Sequence, residues 1–158
     1  MKKQGFTLIE LMVVIVIMGI LAAVAVPKLF GMIAKSKASE VPTAAGTWIN
    51  MQDAYFQEKQ IVGDWGSIGY SAPGAKTNSS SYNSSVFTYT ESSVSAFDWI
   101  ATPKAKLNDC GDVNTEVWKL VASVKTNSSG SNDVKIADGS TAADCKILTP
   151  SWDNLLKN

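Results

Sequence analysis

Histidine and arginine are both missing from this chain of 158 residues, whose 14 basic residues are all lysine. Without histidine the chain lacks the commonest acid–base group and the commonest metal ligand of enzymes. Without arginine it lacks the usual bidentate reader of phosphate. The 14 acidic residues balance the lysines, which is not the charge balance of a nucleic-acid-binding protein. Since the sequence also has no G-x-S-x-G or P-loop motif, we expect no enzyme, no catalytic residue and no cofactor.

A long run without charge occupies the N-terminal part of the chain. It covers residues 11–27, between Glu10 and Lys28. The length of the run alone is at the short end of what crosses a hydrocarbon core of ~30 Å. With the apolar residues on both sides, the helix is long enough to span it. We therefore expect a transmembrane or assembly helix over residues 6–30 and a globular head over residues 31–158.

Glu10 is the one charged residue inside this apolar segment. A carboxylate in such a place is costly unless it is paired or protonated, so it is rarely there without a role. One interpretation is an interfacial side chain that reaches back toward water. The interpretation that we prefer is a carboxylate that needs a positive partner. No lysine lies within one turn on the same helical face, so that partner has to be created or supplied.

The N-terminus resembles that of the type IV prepilins, through the string KKQGFTLIELMVVIVIMGILAAVAVPKL. The shared features are a short basic leader, Gly5, Phe6, Glu10, and then an apolar helix with Gly19 and Pro27. The resemblance implies that residues 1–5 are a leader and that a membrane prepilin peptidase cuts between Gly5 and Phe6. In that family the same enzyme methylates the new amine, which then faces the glutamate of a neighbouring subunit.

The resemblance also implies a function and a location. The chain would wait in the inner membrane as a single-pass prepilin. Pilus assembly machinery would then polymerise it with copies of itself into an extracellular filament used for adhesion, motility or DNA uptake. Glu10, Gly19 and Pro27 would serve assembly, the last two by loosening the helix so that packed helices fit. The N-terminus does not separate this pilus subunit from a pseudopilin of a type II secretion system.

A secretory signal peptide is a second interpretation of the same segment. Residues 23–25 read Ala-Val-Ala and fit an A-x-A cleavage site after an apolar stretch. Cleavage there would release a Sec-exported binding domain. This interpretation leaves Glu10 and the string GFTLIE without an explanation.

The apolar helix is expected to continue as an amphipathic helix to about Lys59. Apolar residues go on recurring at helical spacing, at Phe30, Ile33, Val41, Ala44, Ala45, Trp48, Met51, Tyr55 and Phe56. A helix from residue 6 to residue 59 is about 80 Å long at 1.5 Å per residue. Pro27 and Pro42 lie inside it and are expected to bend it, since each removes a backbone hydrogen bond and crowds the preceding turn.

The rest of the chain predicts an antiparallel sheet. Gly, Pro, Ser and Asn punctuate residues 63–85, which we expect to be an irregular connection, with a mobile polar loop at residues 78–85. Four runs rich in β-branched and aromatic residues follow as candidate strands, at 86–90, 94–101, 117–124 and 134–137. The fold class is thus α+β, with the sheet packed on the helix stripe, and the resemblance implies a ladle-shaped pilin.

The C-terminal half offers a candidate disulfide and a candidate calcium site. Because an exported chain with an even cysteine count favours a disulfide, we expect a bond between Cys110 and Cys145 that ties the C-terminal segment to the sheet. Asp133, Asp138 and Asp144 offer oxygen ligands for calcium. Their spacing matches no EF-hand loop, so solvated loop carboxylates are the preferred interpretation and no metal site is assigned.

Overall fold

The computed structural model describes residues 5–92, 97–111 and 118–156. A long helical arm comes first, and a sheet with short helical turns follows it. The helices are α1 Leu8–Ala38, α2 Glu40–Lys59, α3 Trp65–Ile68 and α4 Ala143–Lys146, with a final 3-10 turn at Trp152–Leu155. The strands are β1 Ala75–Asn78, β2 Ser81–Asn83, β3 Phe87–Ser92, β4 Phe97–Pro103, β5 Trp118–Thr126 and β6 Asn132–Asp138.

The sheet is an antiparallel meander in which each strand pairs with the next along the chain, in the order β1 to β6. Along β5 the buried side chains alternate, at Trp118, Leu120 and Ala122. Such alternation is typical of a sheet with one face on the core. That face packs on α2, and the α+β fold predicted from the sequence is confirmed.

Hydrogen bonds between buried side chains join α2 to the sheet. The Tyr70 hydroxyl donates to the carbonyl of Ala44 at 3.0 Å and accepts from the indole of Trp99 at 3.0 Å. The Tyr89 hydroxyl donates to Oε1 of Glu40 at 2.7 Å. Burial raises the pKa of Tyr70 well above its usual value, so this hydroxyl stays protonated and keeps its role as a donor. These bonds fix the distance between helix and sheet at several points.

The helical arm is divided at Ser39, and its two prolines lie at different places relative to that division. Pro27 lies inside α1 without ending the helix. The division follows from Pro42, which lies in the first turn of α2. Proline has no N–H to donate to the carbonyl four residues earlier, that of Ala38, and Ala38 is the last residue of α1. The missing bond therefore accounts for the boundary between the helices.

The stripe by which the arm contacts the head begins later than predicted. Phe30 and Ile33 are 63% and 50% exposed, whereas Ala34 is the first buried residue of α1. The stripe also contains a polar residue that the apolar spacing did not reveal. Gln52 is fully buried, donates to the carbonyl of Gly63 at 2.6 Å and accepts from its N–H at 3.1 Å. This amide satisfies both backbone groups of a residue in the connection that leaves α2.

The prediction of an irregular connection over residues 63–85 is wrong in part. A turn of helix, α3, and the hairpin of β1 and β2 fall within it, and all of β2 lies in the stretch predicted as a mobile loop. Tyr82 pairs with Tyr89 across β2 and β3 and is buried. The four predicted strands correspond to β3 to β6, with shifted bounds. The predicted strand residues 94–96 and Val117 lie outside the described residues.

Replacing Gln52 by leucine is expected to lower the free energy of unfolding by about 1–3 kcal/mol, because two buried backbone groups lose their partner. Urea unfolding of the full chain in detergent measures this. All five tryptophans are buried in the head, so their fluorescence reports on the head alone. Gln57→Leu, an exposed position on the same helix, is the matched control. Equal loss in both variants would show that the amide has no special role.

Candidate functional site

The N-terminal end of α1 is closed by a hydrogen-bonded pair, Thr7 and Glu10. Oε2 of Glu10 accepts from the Thr7 backbone N–H at 2.8 Å and from its hydroxyl at 2.6 Å. The Thr7 hydroxyl accepts from the Glu10 N–H at 3.4 Å. This reciprocal arrangement is a capping box. It turns the carboxylate toward Phe6, and Oε1 makes no hydrogen bond within the described residues.

Thr7 is the residue of this site that reasoning from the sequence missed. The capping box has the signature Thr-x-x-Glu ahead of an apolar run, and residues 7–10 read Thr-Leu-Ile-Glu. The signal was therefore present in the sequence. It shows that Glu10 has a local partner in the single chain, Thr7, besides the water or the positive partner considered from the sequence.

The α1 segment beyond this cap is an exposed apolar rod. Every large apolar side chain of residues 6–33 is exposed, at 45% or more. Among the described residues, the structure has one helix that is long and apolar enough to span a membrane, within Leu8–Lys59. Such a surface needs lipid or other protein to cover it.

Gly5, Gly19 and Pro27 lie at separate levels of this arm. Gly5 precedes the helix and is exposed, and a Cβ added at Gly5 or Gly19 would meet nothing within 4 Å. Gly19 lies about 13 Å from Glu10 along the helix axis, and Pro27 about 12 Å further, at 1.5 Å per residue. The single chain thus does not bring the predicted assembly residues together, and neither glycine is required by packing within it.

The C-terminal segment is tied to the sheet by the disulfide between Cys110 and Cys145. Both cysteines are buried. Beyond Cys145, the indole of Trp118 donates to the hydroxyl of Thr149 at 3.0 Å. Trp152 is fully buried, with its ring 6.3 Å from that of Trp99. The predicted bond is present, and the segment that it holds closes the core.

Serine at both cysteine positions is expected to lower the free energy of unfolding of the head by about 4 kcal/mol, as the chain-entropy model gives for a loop of this length. Urea unfolding followed by tryptophan fluorescence measures the loss. Reduced wild-type protein should show the same loss. Uptake of two alkyl groups by the unreduced protein would contradict the bond itself.

Of the three acidic residues considered for calcium, Asp133 and Asp138 have other partners, and Asp144 is exposed. Asp138 pairs with the Lys146 ammonium at 2.7 Å and accepts from the Thr141 N–H at 2.9 Å. Partial burial acts to raise the pKa of Asp138, but these bonds outweigh it and hold that pKa below its usual value. Asp133 accepts from the N–H of Val134 at 2.8 Å. Within the described ranges, no three acidic or cysteine side chains form a group that could hold a metal ion.

The first residues of the chain match a family model. Residues 1–26 match the model described as "Prokaryotic N-terminal methylation motif". This is the same stretch that contains Gly5, Phe6, Thr7 and Glu10. The match covers residues 1–5 and most of the apolar rod, and it does not extend to the head.

Curated relatives are similar to this chain over part of its length. A type IV major pilin protein PilA from Myxococcus xanthus (strain DK1622) is 43% identical over 70 residues, which are 44% of this chain and 32% of that protein. A fimbrial protein EcpC from Eikenella corrodens is 39% identical over 84 residues, 53% of each chain. A type IV major fimbrial protein FimA from Dichelobacter nodosus is 52% identical over 44 residues, 28% of each. The chain thus spans about half or less of these relatives' lengths.

Proposed function

We propose that this chain, whose N-terminal segment is that of a type IV pilin, is a structural subunit of a type IV pilus. The observation that carries the proposal is the exposed apolar rod of residues 6–33, attached to a folded and disulfide-closed head. A rod of this kind has two fitting environments, a lipid bilayer and a bundle of identical rods. A structural subunit that waits in a membrane and then polymerises uses both.

The proposed life of the subunit has three stages. Residues 1–5 are a leader, and the chain sits in the inner membrane through residues 6–30 with the head, residues 31–158, outside the bilayer. A prepilin peptidase cuts between Gly5 and Phe6 and methylates the new amine. The pilus assembly machinery then adds the subunit to a filament of its copies. The charged amine of Phe6 supplies the positive partner that Glu10 lacks in the single chain.

The relatives support a pilus over a secretion pseudopilin, because PilA, EcpC and FimA are named as pilin or fimbrial proteins. Expression from the native locus distinguishes the two assemblies. We expect the subunit in the long filaments that shear from the cell surface. If the subunit is found only in the cell envelope, and the deletion strain has a secretion defect, the pseudopilin is favoured.

Mass spectrometry of the mature subunit's N-terminal peptide is the direct test of processing. We expect a peptide that begins at Phe6 and carries one methyl group on its amine. A start near Val26 would instead establish cleavage by a signal peptidase and the release of a Sec-exported domain. The uncut chain, prepared in a host that lacks the peptidase, is the control for the mass assignment.

A further inference from the structure

A pocket lies at the base of the head, where α1 leaves it. Its volume is about 370 Å³, and it opens to the outside between the helix and the loop that follows β4. It is lined by Phe30, Ile33, Ala34 and Lys37 from the helix and by Lys106, Leu107 and Asn108 from the loop. We call it the basal pocket. Neither the disulfide nor the capping box contributes a side chain to its lining.

The basal pocket has an apolar side and a cationic side. Phe30 and Ile33, both exposed, continue the apolar rod into the pocket. Lys37 and Lys106 are exposed as well, and neither has an ion-pair or hydrogen-bond partner among the described residues. By contrast, Lys146 pairs with Asp138 at 2.7 Å. The two free ammonium groups make the pocket complementary to an anion that carries an apolar body.

The charges around the basal pocket are mostly positive. The only charged residues between Glu10 and Ser39 are Lys28, Lys35 and Lys37. Among residues 104–111, the part of the loop that the structure describes, the acidic residue is Asp109, which accepts a hydrogen bond from the Asn108 amide at 3.2 Å and does not line the pocket. An anion that approaches the pocket therefore meets net attraction.

The level of the basal pocket matches the outer headgroup layer of a bilayer. With Glu10 at the inner edge of the hydrocarbon, Phe30 is about 30 Å further along the helix and Lys37 about 40 Å, at 1.5 Å per residue. The hydrocarbon core is about 30 Å thick and the whole bilayer about 40–45 Å. Phe30 thus meets the ends of the hydrocarbon, and Lys37 stands among the phosphates.

The loop that presents Lys106 is held in place from both sides. Leu107 is buried, and its carbonyl accepts from the N–H of Cys110 at 3.0 Å. Cys110 is bonded to Cys145, which anchors the loop on the C-terminal segment. The backbone at Lys106 is therefore positioned before any ligand arrives, and binding orders only the two lysine side chains.

We propose that the basal pocket binds the headgroup of an anionic phospholipid while the subunit waits in the membrane. The phosphate lies between Lys37 and Lys106, and the glycerol and upper acyl carbons lie against Phe30 and Ile33. This inference rests on the proposed function, since it needs α1 to span the bilayer. Binding would hold the head at a fixed height and orientation above the membrane before assembly.

Lipid selectivity of the full chain in bilayers tests the proposal. The protein is reconstituted into phosphatidylcholine vesicles that hold either spin-labelled phosphatidylglycerol or spin-labelled phosphatidylcholine. The motionally restricted fraction of each label gives the relative association of the two lipids. We expect wild type to prefer phosphatidylglycerol and to lose the preference as salt rises, because salt screens exposed charges.

The variant with Lys37→Gln and Lys106→Gln is expected to lower this preference about fivefold or more, since one lysine near an anionic surface is worth about 1 kcal/mol. The matched control is Lys76→Gln with Lys125→Gln, which removes the same charge from exposed positions on β1 and β5. The control should keep the wild-type preference. Tryptophan fluorescence should be unchanged in both variants.

Four outcomes overturn the proposal. Equal loss in the test and control variants would mean that net charge alone attracts the lipid. An unchanged preference with a lost filament yield in the test variant would assign the pocket to a second copy of the chain. If the chain floats with the vesicles but shows no lipid preference, the lipid site is ruled out and membrane anchoring through α1 still stands. If the chain does not float with the vesicles, the proposed membrane stage is ruled out as well.

Discussion

Glu10→Ala is expected to leave cleavage and membrane insertion intact and to reduce the filament yield to a small fraction of wild type. In a filament the Phe6 amine and the Glu10 carboxylate would be buried among packed helices. Removal of one partner of a buried pair costs about 3–5 kcal/mol. This lowers the equilibrium constant for adding each subunit to the filament by a factor of roughly 10² or more. The comparison of shortened subunit in membranes with subunit in sheared filaments measures the effect.

The capping box makes sharper controls available for this prediction. Glu10→Gln keeps a side chain that can cap the helix but removes the charge, so it should impair assembly as alanine does. Thr7→Ala removes the cap, worth about 1 kcal/mol, but keeps the charge, so filaments should still form. Normal filament yield from both Glu10 variants would rule out the proposed role of the Glu10 charge in assembly. If Thr7→Ala alone abolishes filaments, the helix cap and not the Glu10 charge is what assembly requires.

Gly5→Val is expected to leave the leader attached in nearly all of the protein and to abolish filaments. The proposed cleavage site has a residue without a side chain at the cut, in an exposed stretch that precedes the helix, and a branched Cβ there would meet the peptidase. Immunoblots resolve the uncut and shortened forms. Gly31→Val, where an added Cβ also meets nothing within 4 Å, is the control and should be cut normally. A shortened Gly5→Val protein would mean that the cleavage site lies elsewhere.

Helical periodicity and strand composition predict most of the fold because each is a local property. The apolar run and the stripe from Val41 to Phe56 are each contained within a single helix, so the sequence of that helix is enough to predict them. In β5 the alternation between Trp118 and Lys119 reports on one face of one strand. Periodicity gives no function to Gly5, Phe6 or Glu10. Their proposed roles come from the resemblance at the N-terminus.

Apart from Thr7, whose partner Glu10 is local, the parts that were missed depend on partners outside their own helix or strand. The polar stretch at β2 has weak strand propensity, and it becomes a strand because β3 pairs with it and Tyr82 enters the core. The buried amide of Gln52 is explained only by the backbone of Gly63. Lys37 and Lys106 are brought to one pocket by the fold of the head. No spacing rule within a single element contains these contacts.

The exposed apolar rod also limits where the subunit can exist. To place the apolar side chains of residues 6–33 in water costs on the order of tens of kcal/mol, at about 25 cal/mol per Å². A free subunit therefore has a negligible concentration in the surrounding medium. Under the proposed function, the bilayer and the filament would be the two places where the subunit accumulates, and a subunit that leaves one would have to enter the other. A filament that shortens at its base would return its subunits to the membrane, ready for another round of growth without new synthesis.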